Sequence, residues 1–289
     1  MIYEGTDCSL TWAIVIQTYT AVVYSLVVVM FCTALYVQFQ LRTMFHPFFT
    51  LLFAETMAFY AICDIFVVSL KIFYSLDLME LTIAKVFDTT FHYTYAMIKS
   101  LQTCCLLERL AATICFQSYE KNTNLYYLIP SQVFCVGFAF LEMFVKETFE
   151  GLAQAFIFLG YYVMHIVGLL VLLYINRNLT KKYTGSGIPL SMRYQLAENI
   201  RTIRVFLPMI CFDTMISLVD IVSGYLQLDY VFEPERCAPE PYYLPVYALI
   251  VMLASGLELV EATVILKQYP SEKIFCKRRK ILGEEAEAN

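Results

Sequence analysis

The chain has 289 residues, 60% of them apolar and only 16% charged, with a mean hydropathy of +0.64. Soluble domains run at about 45–50% apolar and about 25% charged, so this balance excludes an ordinary soluble fold and points to a polytopic membrane protein. The net charge of −5 comes from acids spread over loops and termini, with no basic footprint for nucleic acid.

A spanning helix needs roughly 20 mostly apolar residues, and seven such segments can be placed. The first, about 11–38, follows a stretch holding Glu4 and Asp7 but no Lys or Arg. A basic leader is missing, so the first span is expected to act as its own insertion signal. The second, about 47–74, carries Glu55 and Asp64. The third, about 84–116, is the most polar. Its Asp88, His92, Tyr95, Lys99 and Gln102 recur at spacings of four, three, four and three, which puts them on one helix face. Such a stripe either lines a ligand cavity or glues helices together by hydrogen bonds.

The fourth and fifth spans, about 125–145 and 153–176, are separated by Lys146, Glu147 and Glu150, which argue for a loop rather than one joined helix. Residues 177–204 are basic, with a Gly-Ser-Gly turn signal and Pro189. Within them "LSMRYQLAENIR" reads as a helix extending the sixth span, about 203–226. A polar, proline-punctuated loop precedes the seventh, about 243–267. The tail, 268–289, starts basic and ends acidic.

Fifteen of the 20 Lys and Arg fall on one side of this arrangement. Basic loops stay cytoplasmic, so the N-terminus is expected outside and the C-terminus inside. Of ten cysteines, only Cys8 and Cys237 fall on the outer face, where they either pair or remain free thiols. Cys276 beside the basic run Lys277–Lys280 is either a palmitoylation site or a plain thiol on a stop-transfer flank.

Ionisable groups inside a bilayer cost about 2.5–3.5 kcal/mol each on insertion scales and tend to face the bundle interior. At 1.5 Å per residue, Lys99, Glu55, Asp213 and Glu258 share one level. Lys99 is therefore expected to pair with one of those three carboxylates, as a lock or as a purely structural ion pair. Asp64, Asp88, His92, Tyr95 and Asp220 lie nearer the outside and are candidates for a ligand pocket. Metalloprotease, nucleophile-elbow, paired CxxC and phosphate-loop motifs are all missing. His46, His92 and His165 fall in separate spans without metal-ligand spacing. No enzyme activity, metal or cofactor is expected.

The stretch "CCLLERLAATICFQSYEKN" (104–122) sets Glu108 and Arg109 at the inner end of the third span. By itself this is either an interfacial charge pair or a switch. With seven spans and an outside N-terminus it resembles the acidic-Arg pair of G-protein-coupled receptors. The longer pattern of Glu108-Arg109, Ala112-Thr113 and Tyr119-Glu120 is similar to the nematode serpentine chemoreceptors of the Sre, Srab, Sra and Srb families, Sre above all. So is the "LS.RYQ..ENIR" pattern, with Arg193, Glu198 and Asn199. The resemblance implies an all-α seven-transmembrane chemoreceptor of the plasma membrane and of sensory cilia. Its implied partners are a small-molecule ligand, a heterotrimeric G protein and the bilayer, with a receptor dimer left open. It also implies that Glu108 and the sixth helix restrain Arg109 at rest. The competing class is a seven-span ligand-gated channel or transporter. The chain lacks both the rhodopsin-type bridge from helix three and an Asn-Pro-x-x-Tyr in span seven.

Overall fold

The computed structural model describes residues 10–40, 46–76, 78, 82–115, 119, 126, 128–149, 152–183, 190–228, 236, 239–240 and 242–268. They form seven long helices: α1 (Leu10–Gln40), α2 (Pro47–Ser75), α3 (Thr82–Ile114), α4 (Leu128–Thr148), α5 (Leu152–Tyr183), α6 (Leu190–Tyr225) and α7 (Tyr243–Gln268). Apolar segments of this length become helices because lipid offers no hydrogen bonds, so each backbone must satisfy itself. Their hydroxyls follow the same rule. Thr20, Thr33, Thr56, Thr94 and Thr214 each donate to the carbonyl four residues back.

Six helices are long and apolar enough to cross a membrane by composition alone, and α3 is the exception. It sits at the centre, packed against α2, α4, α5 and α6, while α1 lies between α2 and α7 and closes the ring. An inner helix meets protein on most sides, so it carries polar residues that a lipid-facing helix cannot. Outward faces are apolar, as with Val133, Phe140 and Phe156.

Compared with the expected spans, α5 runs seven residues further, to Tyr183, and α6 is continuous from Leu190. Both extensions reach the end of the bundle that holds Arg109. The core beneath that end is aliphatic and aromatic. Leu52, Met57, Leu101, Ile203, Phe206 and Ile210 are fully buried, and Phe53 meets Phe206 edge-on. Inside α6, Pro208 removes one backbone donor. At its far end Gln227 adopts φ 53°, while the Leu228 N–H reaches back to Ser223 O (2.9 Å), a left-handed helix stop.

Candidate functional site: the Arg109 clamp

Arg109 lies one and a half turns before the end of α3 and is 1% exposed. Its Nε and Nη2 both donate to the Glu108 carboxylate, a two-pronged charge-assisted pair. The remaining donor, Nη1, crosses to α6, reaching Asn199 Oδ1 at 2.8 Å and Thr202 Oγ1 at 3.5 Å. The guanidinium also stacks on Phe49 of α2, 4.6 Å from the ring centre, which a planar cation does well. A charge this deep is tolerated because each of its nitrogens has an acceptor and one face is stacked on a ring.

A second set of bonds surrounds the first. Tyr119 donates its phenol hydrogen to Glu108, so His46 Nδ1, 2.9 Å from the same oxygen, carries the hydrogen between them. Burial, then the Glu108 charge, pushes the Tyr119 phenol well above its usual value. The His46 backbone N–H donates to Glu198 of α6 (2.6 Å). On the other flank Thr113 donates to the Arg109 carbonyl, Asn176 of α5 donates to Thr113 (both 2.8 Å), and Asn199 donates to Asn176 (3.4 Å). Helices α2, α3, α5 and α6 are thus tied together around one cation. A small cavity of about 40 Å³ opens there, lined among others by Ala112, Gln195 and Glu198.

Of the residues read from the sequence as the switch, the structure joins Glu108, Arg109, Tyr119, Glu198 and Asn199. Arg193, on the first turn of α6, is exposed, and Glu120 lies outside the described residues. Thr202, Asn176, His46 and Phe49 were not read from the sequence. Thr202 alone left a signal, three residues after Asn199 and so on the same helix face.

Lys99 requires a correction. Its partner is Glu142 of α4 (2.5 Å), not Glu55, Asp213 or Glu258, and the rings of Tyr95 and Phe158 flank the ammonium at 4.6 and 4.3 Å. Depth along a helix gives the level of a side chain but not its direction, and Lys99 points towards α4 and α5. The three carboxylates have other neighbours. Glu55 accepts from Gln132 (2.6 Å), Asp213 from Tyr60 (2.5 Å) and from Gln102, and Glu258 from Tyr24 (3.3 Å).

The five candidates for an outer pocket fall in two places. Asp88 and His92 lie 3.9 Å apart, with Lys146 of α4 donating to His92 Nδ1 (3.1 Å), and Tyr95 lies beneath Lys99. Asp64 of α2 instead sits within electrostatic reach of Glu258 on α7, and Asp220 of α6 stands between the two places, within reach of Glu258 and of Lys99 and Lys146. Cys8, Cys237 and Cys276 lie outside the described residues. Among the described residues no group of His, Cys, Asp or Glu is arranged to hold a metal ion.

Comparison with known proteins bears on this arrangement. A family model described as Sre G protein-coupled chemoreceptor matches residues 69–237, more than half of the chain. Serpentine receptor class beta-16 of Caenorhabditis elegans is 26% identical over 264 residues, covering 80% of this chain and 74% of its own length.

Proposed function

Because this chain belongs to the Sre G protein-coupled chemoreceptor family, we propose that it detects a small external chemical and signals through a heterotrimeric G protein, with Arg109 as the switch. The observation that carries this reading is the direct bond from Arg109 to Asn199, which fastens α3 to α6 at one end of the bundle. Fifteen of the 20 Lys and Arg gather towards that end under a seven-span reading, so it faces the cytoplasm and the N-terminus lies outside. The receptor stands in the plasma membrane, and by family resemblance in sensory cilia.

A ligand that binds better to the released form shifts a pre-existing equilibrium. Release breaks the Arg109 bonds to Asn199 and Thr202, and α6 swings on the weakened turn around Pro208. The freed guanidinium, with Tyr119 and Glu198 near it and Arg193 exposed at the start of α6, then presents a docking surface to the G protein. Lys99, Glu55, Asp213 and Glu258 hold the polar middle of the bundle together. Asp88, His92 and Tyr95 on the α3 side, Asp64 on the α7 side and Asp220 between them offer polar contacts to an entering chemical.

The test is a chemical screen in cells expressing the chain, read by G-protein activation, with Arg109→Ala at matched surface level. The wild-type chain responds to at least one compound and Arg109→Ala does not. An equal response in the variant overturns the switch.

A further inference from the structure

Two thiols meet across the seam between α3 and α4. Cys104 Sγ lies 3.5 Å from Cys135 Sγ, and Cys104 also donates to the Ser131 carbonyl of α4 (3.8 Å). Cys104 is 5% exposed and Cys135 is fully buried. Ser100 of α3 bonds to the Cys135 thiol as well. Ser100 and Cys104 stand one turn apart on α3, as do Ser131 and Cys135 on α4. Four small side chains thus line the seam and let the two helices approach closely. Cys105, next in sequence, turns away and bonds to Thr56 of α2. The contact belongs to one particular pair, each thiol supplied by a different helix.

At 3.5 Å the sulfurs touch without a covalent bond. A disulfide bond needs about 2.05 Å, so the gap to close is roughly 1.5 Å, the scale of a side-chain rotation. Closing it has a structural consequence, because the main packing of α4 is with α3 alone. Their other tie is the Lys99–Glu142 ion pair, about 7.5 Å further along α3. Around Cys135, helix α4 turns Val133, Phe134 and Val136 outwards. A thiol pair inside an apolar bundle is shielded from water-borne oxidants, so the oxidant that suits it dissolves in the bilayer.

We propose that Cys104 and Cys135 are a modification site, at which an apolar hydroperoxide forms a disulfide bond that fastens α4 to α3. The Cys104 sulfur, the more exposed of the two, attacks the outer peroxide oxygen. The O–O bond breaks, and the thiol hydrogen leaves with the alcohol. The Cys135 sulfur then attacks the resulting sulfenic sulfur, and water leaves with the second thiol hydrogen. Each sulfur gives up one electron and the peroxide takes up two. A dithiol reductant reverses the bond. The site does not involve the Arg109 clamp and does not depend on the receptor reading.

The test treats the purified full chain in lipid nanodiscs with cumene hydroperoxide, blocks the remaining free thiols and maps the peptides by mass spectrometry. The expected product is a pair of peptides joined through Cys104 and Cys135 and separated again by dithiothreitol. The joined chain unfolds about 5 °C or more above the reduced chain, because the bond closes a long loop. Cys135→Ala shows no such rise. The proposal is overturned if the peroxide oxidises methionines or other cysteines while both thiols stay free. It is overturned equally if Cys104 is oxidised without joining Cys135, or joins any other cysteine. A joined chain that unfolds no higher than the reduced one, or an equal rise in Cys135→Ala, also contradicts it. The peptide map is made on the wild-type chain, so it decides the matter even where a variant does not fold.

Discussion

Arg109 would be costly to bury alone, and its surroundings show what offsets that cost. Two Glu108 oxygens, two α6 acceptors and the face of Phe49 surround the guanidinium. Glu108 and Arg109 were legible in the sequence because a charged pair in an apolar helix needs a reason, and Asn199 only through the resemblance of the "LS.RYQ..ENIR" segment. Phe49 and Asn176 were not, since one looks like any core aromatic and the other like any loop-edge amide. Lys99 and Glu142 form another buried ion pair. Removing one partner of such a pair leaves a charge stranded, at about 3–5 kcal/mol. Lys99→Met is therefore expected to lower the unfolding temperature sharply, and adding Glu142→Met to recover most of the loss. Equal temperatures for wild type and Lys99→Met would show that the pair contributes nothing. Tyr119 gives a pH signature outside the membrane. Its phenol is pushed up by burial and by Glu108, so the stability it contributes is present below its unfolded value of about 10 and lost as pH rises above that. Between about pH 10 and pH 12 the wild-type chain should lose more stability than Tyr119→Phe; parallel losses would contradict the assigned contact.

At the scale of the helix, α3 and α6 carry the account. Hydropathy marks six helices and passes over α3, because the central helix is free to hold polar residues. In the sequence α3 is placed as one of seven mostly apolar segments, and its stripe of polar residues at helical spacing sets it apart. The stripe does not share one environment, however. His92 meets Lys146, Lys99 meets Glu142, and Gln102 meets Asp213. A face is broad enough to serve two or three neighbours, and periodicity cannot say which. In α6, Pro208 leaves the Arg204 carbonyl without its usual partner and weakens the turn between the clamp and the outer half. Pro208→Ala restores a bond and stiffens the helix. The expected result is a more stable receptor with a lower maximal ligand response at matched surface level; an undiminished response would remove Pro208 from the mechanism.

For the whole molecule, composition and segment length were enough to read a seven-helix membrane bundle, because lipid leaves so few alternatives. Which helices touch was not legible, since burial in a bundle depends on rotation about each axis. The family match runs from the end of α2 to just past α6, and so includes Glu108, Arg109, Tyr119 and Asn199 but not His46, Glu258 or Glu261. The central claim is that bonds from Arg109 to α6 hold the receptor at rest. Hydrogen bonds to a charged group are worth about 1.5–3 kcal/mol, and about 1.4 kcal/mol is a tenfold change in an equilibrium. The most direct measurement is basal G-protein activation, without ligand, by Asn199→Ala/Thr202→Ala at matched surface level. The account predicts basal activity roughly tenfold or more above wild type. Basal activity equal to or below that of the wild-type chain would contradict it.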